Sequence, residues 1–492
     1  LSLLFPIEAR VADKQSNLRI ERSVDSCGFV RPQSSAEQTA TGETISPRLI
    51  LLDDNIRDRG GHYFELAYLL LCGAEELGFR GVLVTHRDFD SPSIEDKDWS
   101  VHRIFSTRRL VRWSMGVDGE SRQQRDLDGQ PVGGSAIQNL KCRITDAINT
   151  PPRRPTHMLR QWSDDFCDMI RQTKPTPNDQ LLVNTGDDFA LLSLAHAMQR
   201  VTLPPLRIDV LFHFALVDRE QRDRMNRLRQ VGRQIRSALE SLKPHQVHLH
   251  ATTDSLAEQL RESASGCPIR AIPYPTRRCR ITKGSNSEPL TAIIAGMPRA
   301  EKGKDAIAEL LKRLGPSVLR SGRFRISMQL PADRWRRLVP RSLHDQCAPS
   351  DDLTSDGCSR ALQIITSHLS TESYHQWLDT ADVGLFLYEP ARYEARCSGI
   401  LLELMARGIP VIVPDQCWLS RQLELAGGHG SIGFIYRNRS EIPRLMIQFA
   451  EDRDAIRARC RSHAAVVVER HCGQNALLTM GFSPSVRNQH AA

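Results

Sequence analysis

Residues Ala381 to Pro414 read ADVGLFLYEPARYEARCSGILLELMARGIPVIVP, and this stretch decides the fold. Val383 to Leu387 is a short apolar run closed by Pro390, and Val411 to Val413 is a second one between Pro410 and Pro414. Both have the pattern of strands covered on two faces. The segment between them predicts a helix with marked ends: Ser398 is an N-cap, and Gly408 with Pro410 stops the helix after Arg407. The first-turn amides of Gly399, Ile400 and Leu401 have no partner inside such a helix, so its N-terminus can hold the diphosphate of a nucleotide. Glu403 lies in the second turn among Ile400, Leu401, Leu402, Leu404 and Met405. A carboxylate there either faces solvent or accepts hydrogen bonds, and the 2′ and 3′ hydroxyls of a ribose are a matching pair of donors. A solvated helix face with a well-made cap is the plain alternative.

Working outward, the same alternation recurs. Leu49 to Leu52 predicts a strand, followed by the loop DDNIRDRGG, a helix from about His62 to Leu77 and a strand from Gly81 to Thr85. Strands follow at Leu181–Asn184, Ile208–Phe214, Val247–His250 and Ile269–Ile272, with helices between them, and Ile272-Pro273-Tyr274-Pro275 closes the series. A second series opens at Thr291–Ala295 and continues through Phe324–Gln329, Ala361–Ile365 and Val383–Leu387. The expected fold is α/β, with two doubly wound Rossmann-like domains facing across a cleft and ligands at the carboxyl ends of the strands. The expected division is a disordered tail over 1–45, an N-terminal domain over 46–276 with an insertion at 115–155, a C-terminal domain over 287–475 and a tail over 476–492.

The chain has 492 residues, of which 40% are hydrophobic, enough for two cores. No apolar run is long enough to span a membrane, and the opening LSLLF lacks the basic flank of a signal peptide. The 12 cysteines form no C-x-x-C pair, which fits reduced thiols in a cytoplasmic protein and supports neither a zinc site nor a disulfide framework. The net charge of +8 is uneven, with concentrations at Asp218–Arg236, read as a basic helix, and at Val101–Trp113, where Arg alternates with apolar side chains. Both are candidates for peripheral contact with an anionic membrane surface, set against the reading of solvated helix faces. No nucleic-acid motif accompanies the charge.

With these residues in view, Gly296 to Gly303 and Arg396 to Val413 resemble the nucleotide-sugar site of GT-B glycosyltransferases, particularly the retaining enzymes of glycosyltransferase family 4. That family carries G-R-x-x-x-x-K-G after the first strand of its C-terminal domain. Gly296, Lys302 and Gly303 hold the matching positions, while Met297 replaces the Arg and Arg299 stands two residues later. Of its E-x7-E element, Glu403 matches the second Glu and Ala395 replaces the first, with Glu394 one residue away. Tyr393, Arg396, Ser398 and Gly399 reproduce the Y-x-x-R-x-S-G of a subset of similar enzymes, which aligns Arg396 with the donor diphosphate. Gly60 and Gly61 occupy the family's glycine-rich position in the N-terminal domain, and His62 follows them toward the acceptor.

The resemblance implies transfer of a sugar from a nucleoside-diphosphate sugar to a glycan or lipid-linked acceptor, with retention and without a metal or other cofactor. His213, Lys302 and Arg396 are the candidate catalytic residues. His213 is there because it ends a strand facing the cleft, although a lone His at that place is more often structural. Glu403, Ser398, Gly399, Ile400, Arg299, Gly296, Gly61 and Glu394 are the candidate donor-binding residues. The triplets Asp88-Phe89-Asp90, Asp96-Lys97-Asp98 and Asp126-Leu127-Asp128 resemble metal motifs, but such triplets arise by chance in acidic loops. A GT-B epimerase or phosphorylase is the enzyme alternative. A non-catalytic binding protein on a degenerate transferase fold is the other, motivated by Met297 and Ala395.

Overall fold

The computed structural model describes residues 46–94, 97–107, 155–282, 288–350 and 360–484. Two seven-stranded sheets organise them. The first contains β1 (Arg48–Asp53), β2 (Arg80–His86), β3 (Ser100–Phe105), β4 (Gln180–Gly186), β5 (Arg207–Phe212), β6 (Gln246–Ala251) and β7 (Ile269–Ala271). Its order is β3-β2-β1-β4-β5-β6-β7, and every pairing is parallel. The second contains β8 (Leu290–Ile294), β9 (Phe324–Gln329), β10 (Cys347–Ser350), β11 (Leu362–Ile365), β12 (Val383–Leu385), β13 (Val411–Pro414) and β14 (Gly433–Tyr436). Its order is β10-β11-β9-β8-β12-β13-β14, again all parallel.

The apolar runs form strands because both faces are covered. In β1, Leu49 and Leu51 enter a core that continues into the C-terminal half, whereas Ile50 and Leu52 pack on the opposite face. Strand order reverses beside β1 and beside β8, and each reversal opens a crevice at the carboxyl ends. At the first one, the buried Asp53 side chain accepts hydrogen bonds from Asn184 Nδ2 (2.8 Å), Thr185 Oγ1 (2.6 Å) and the Asn55 amide (2.9 Å). This ties the ends of β1 and β4 together and sets where the following glycine loop begins.

Several sequence expectations are corrected. Val101–Phe105 is not part of a basic amphipathic segment but of edge strand β3, and 108–113 lies outside the described residues. The basic helix runs from Arg224 to Ser241, so Asp218–Asp223 is loop. Pro155 opens a helix, Pro155–Thr173, at the end of the expected insertion, whose residues 115–154 lie outside the described part, as do 1–45 and Asp126 to Asp128. Asp96 is likewise outside. The sequence reading passed over β10, β14 and the helix Ile442–Arg470, whose Arg457 pairs with the buried Asp382 in front of β12.

Residues 476–482 are not a tail. The helix Gly473–Met480 returns to the N-terminal half and crosses the helix Gly61–Glu76, with glycine on both sides of the crossing. A Cβ on Gly73 would lie 2.2 Å from the Gly473 carbonyl carbon, and one on Gly473 would lie 1.9 Å from the Leu69 oxygen. Arg207 donates to the Met480 and Gly481 carbonyls at 2.9 and 2.8 Å and closes the helix end. Residues 485–492 lie outside the described part. Gly473→Ala is expected to cost about 1–3 kcal/mol of stability through overpacking. Urea denaturation measures this, and an unchanged midpoint would contradict the close crossing.

Candidate functional site

The carboxyl ends of the two sheets face a cavity of about 690 Å³. From the N-terminal half, Gly60 at the end of the turn after β1 and Gly61, His62 and Glu65 in the first turns of the helix Gly61–Glu76 line it, and His213 enters from the residue after β5. From the C-terminal half come the Gly296 loop, Lys302, Arg396 and the face of the helix Gly399–Ala406 that carries Glu403. All the candidate site residues line this space except Glu394. Ala395 beside it is 2% exposed and packs in the N-terminal core, so no shift of register carries a carboxylate from that position into the cleft.

Two glycines shape the Lys302 loop. Gly296 sits at φ +85°, a conformation that strains any other residue, and a Cβ there would come 2.9 Å from Ile400 Cδ1 and 3.0 Å from Lys302 Nζ, displacing the ends of both side chains. Gly303, at φ +78°, lies against the end of β12, where a Cβ would sit 2.1 Å from the Leu387 oxygen. Between them the short 3₁₀ turn Ala300–Lys302 folds the lysine back toward the cavity. Lys302 Nζ lies 5.8 Å from the centre of the Tyr388 ring, and no carboxylate among the described residues is within ion-pair distance of it. Burial, with Arg299 nearby, pushes its pKa down to about 8, against the pull of Glu301 and Glu403.

Ser398 caps its helix as expected, with Oγ accepting from the Leu401 amide at 3.3 Å. A Cβ on Gly399 would meet only Tyr274, at 3.6 Å, so the first turn is open to the cavity. Glu403 accepts a hydrogen bond from Tyr374 Oη at 3.2 Å. Burial and the Glu65 carboxylate push its pKa up to about 7, while Arg407, Tyr374 and Lys302 oppose the shift. Glu65 is itself held by Arg277, whose NH2 lies 2.6 Å from Oε2.

Arg396 is the most telling group. Its side chain is 14% exposed, yet Nε and one terminal nitrogen are buried without a hydrogen-bond acceptor among the described residues. Asp218, 3.7 Å from that terminal nitrogen, is close enough for attraction but too far for a hydrogen bond. His213 is similar in kind: its Nδ1 is buried without a partner, and burial lowers its pKa to about 4. It is therefore a neutral imidazole, stacked on His62 at 5.8 Å and set against Tyr274 at 5.5 Å. Buried polar groups without partners, on residues that line one cavity, are what a polar ligand would complete.

The fold has known counterparts. No family model matches the chain, and no curated protein matches it. Among solved structures, sucrose-phosphate synthase from Thermosynechococcus elongatus is similar over 89% of this chain and 98% of its own, at 12% identity and a TM-score of 0.54. The E. coli trehalose-6-phosphate protein bound with UDP-2-fluoro glucose is similar over 89% of this chain and 100% of its own, at 11% identity and 0.52. A trehalose-6-phosphate synthase studied with bisubstrate glycomimetics covers 89% and 100%, at 12% and 0.55. The fold is GT-B. In both halves the GT-B cleft is reached from the strand ends beside β1 and β8, where the candidate residues gather.

Glu65, Arg277, Tyr274 and Tyr374 also line the cleft and were passed over in the sequence. For Glu65 a signal existed: it is the only acid among apolar residues in GHYFELAYLLL, the same feature that singled out Glu403. Among the described residues, no group of three or more His, Cys, Asp or Glu side chains could hold a metal ion. No helix among them is long and apolar enough to cross a membrane.

The raised Glu403 pKa has a consequence for stability. The folded protein keeps this proton up to about pH 7, whereas the unfolded chain releases it near 4.5, so the group subtracts stability as pH rises through that window. Glu403→Gln is expected to melt at a higher temperature than wild type at pH 8 and at nearly the same temperature below pH 4.5. Calorimetric melts at the two pH values check the sign, and an equal shift at both would contradict it.

Proposed function

We propose that the protein is a glycosyltransferase that moves a sugar from a nucleoside-diphosphate sugar to a glycan or glycolipid hydroxyl. The observation that carries this reading is the convergence of Lys302, Arg299, the under-satisfied Arg396 and the N-terminus of the Ser398-capped helix on one cavity. Breaking the bond from the anomeric carbon to a diphosphate places negative charge on the leaving group, and preorganised cations and amides there lower the barrier. Ser398, Gly399 and Ile400 would hold the phosphates, and Gly296 leaves space for them. Glu403 would accept from the ribose hydroxyls. These cations balance the diphosphate charge from the protein's side, so the reading calls for neither a metal nor a further cofactor.

His213, neutral at physiological pH, would offer a hydrogen bond to the donor sugar rather than a charge. Gly61 and His62 would border the acceptor. Two of the similar structures support the finer points as proposals for this chain: one is bound with a UDP-sugar analogue, and the other concerns glycosyl transfer with retention. Retention is proposed on that likeness, and a family 4-like site on the motif residues Gly296, Lys302, Gly303 and Glu403. The binding-only alternative keeps one observation in its favour, the Ala395 position, where the family carboxylate is replaced by a side chain buried in the core.

Release of nucleoside diphosphate from UDP-, GDP-, ADP- and dTDP-glucose, measured with and without a panel of sugar acceptors, separates the readings. Acceptor-stimulated release that falls at least about 100-fold in Lys302→Ala is expected, the size seen when a group stabilising developing charge is removed. Binding without release would favour the alternative. Nucleotide affinity should rise as pH passes about 7, when Glu403 ionises, and fall beyond about 8, when Lys302 loses its proton. Glu403→Gln should flatten the acid limb, and a limb that persists in that variant would remove Glu403 from the ribose role.

A further inference from the structure

We infer that Asp218 is a built-in competitor for the donor diphosphate, a carboxylate supplied by the N-terminal half that holds Arg396 of the C-terminal half when no donor is bound. The inference rests on the proposed diphosphate role of Arg396 and adds how that site is filled and emptied. Three observations carry it. Arg396 is partly buried, with Nε and one terminal nitrogen lacking acceptors among the described residues, so it has unused hydrogen-bonding capacity. Asp218 Oδ1 stands 3.7 Å away, near enough to offset the charge without making the hydrogen bonds that a phosphate would make. The backbone presenting Asp218 is fixed: Gln259, 3% exposed, accepts from the Leu216 and Val217 amides at 2.9 and 3.4 Å and donates to the Val217 carbonyl at 3.1 Å.

These bonds hold the backbone just before Asp218, and the ion pair stands at 3.7 Å, without a hydrogen bond. Its loop, between β5 and the helix Arg224–Ser241, also reaches the C-terminal half through Arg219, whose NH1 lies 3.5 Å from Gln416 Oε1. A diphosphate arriving at the Ser398 helix would complete the Arg396 hydrogen bonds and must displace Asp218 from the guanidinium to do so. After transfer, the Asp218–Arg396 pair would re-form as the nucleoside diphosphate leaves. Asp218 is then a positioning residue, and its carboxylate weakens product binding.

This role has the opposite sign to a merely structural one. If Asp218 simply held Arg396 in place, removing its charge would weaken binding; as a competitor, its removal tightens it. Isothermal titration of UDP, GDP, ADP and dTDP into wild type, Asp218→Asn, Asp218→Ser and Arg396→Ala, alone and combined with Asp218→Asn, tests this. For the nucleotide that wild type binds, both Asp218 variants are expected to bind about tenfold tighter, a modest part of the attraction between unit charges 3.7 Å apart that the donor must displace. The gain should vanish in the Arg396→Ala background. Unchanged or weaker binding in the Asp218 variants would overturn the inference while leaving the proposed function intact. Failure of wild type to bind any of the four would overturn both.

Discussion

Two half-buried cations at one end of a cleft, the Lys302 ammonium and the Arg396 guanidinium, set the terms for the rest of the structure. Removing a charge from water is costly unless partners replace the solvent. Here the replacement is incomplete: Lys302 has no carboxylate in ion-pair reach among the described residues, and Arg396 has only the distant Asp218. The fold bears that cost through features with little freedom of their own. Gly296 and Gly303 pin the lysine loop against Ile400 and the end of β12, and the Ser398 cap holds the adjoining helix with its first turn open. Glu403 adds the reverse strain, since burial and then the nearby Glu65 carboxylate keep it protonated to about pH 7. A cleft with under-satisfied cations beside a buried carboxyl group is ready for a ligand that carries hydroxyls and phosphates together.

Much of the architecture was legible in the sequence because it depends on local patterning. Leu49–Leu52 and Val411–Val413 are apolar on both faces, which only a covered parallel strand explains, and the end signals of the Ser398 helix agree with its cap and length. The elements missed are those whose position depends on distant partners. β10 and β14 are short edge strands with mixed side chains, fixed by pairing with β11 and β13. The final helix, Gly473–Met480, is short enough to pass for a tail. Its place becomes evident only from the glycine at position 73 of another helix, which lets the two backbones touch.

The site divided the same way. Residues on the Ser398 helix and the Gly296–Gly303 loop could be named because cap, glycine and charge lie close together in sequence. Glu394 could not be judged from spacing, since its exclusion follows from the burial of Ala395 in the opposite half's core. Asp218 was hidden inside a segment that read as one basic helix. The structure starts that helix at Arg224 and leaves Asp218 in a loop facing Arg396. Contacts that cross the cleft join residues more than a hundred positions apart, and no local pattern records them.

The GT-B arrangement brings these halves together, and the claim at its centre is that one anion completes the Arg396 and Lys302 environment. A crystal structure of the protein with bound nucleoside diphosphate tests it most directly. The account predicts phosphate oxygens within hydrogen-bond distance of Arg396 and of the first-turn amides after Ser398, Lys302 Nζ directed at the same group, and the ribose on Glu403. A nucleotide seated elsewhere, with Arg396 still facing only Asp218, would contradict it.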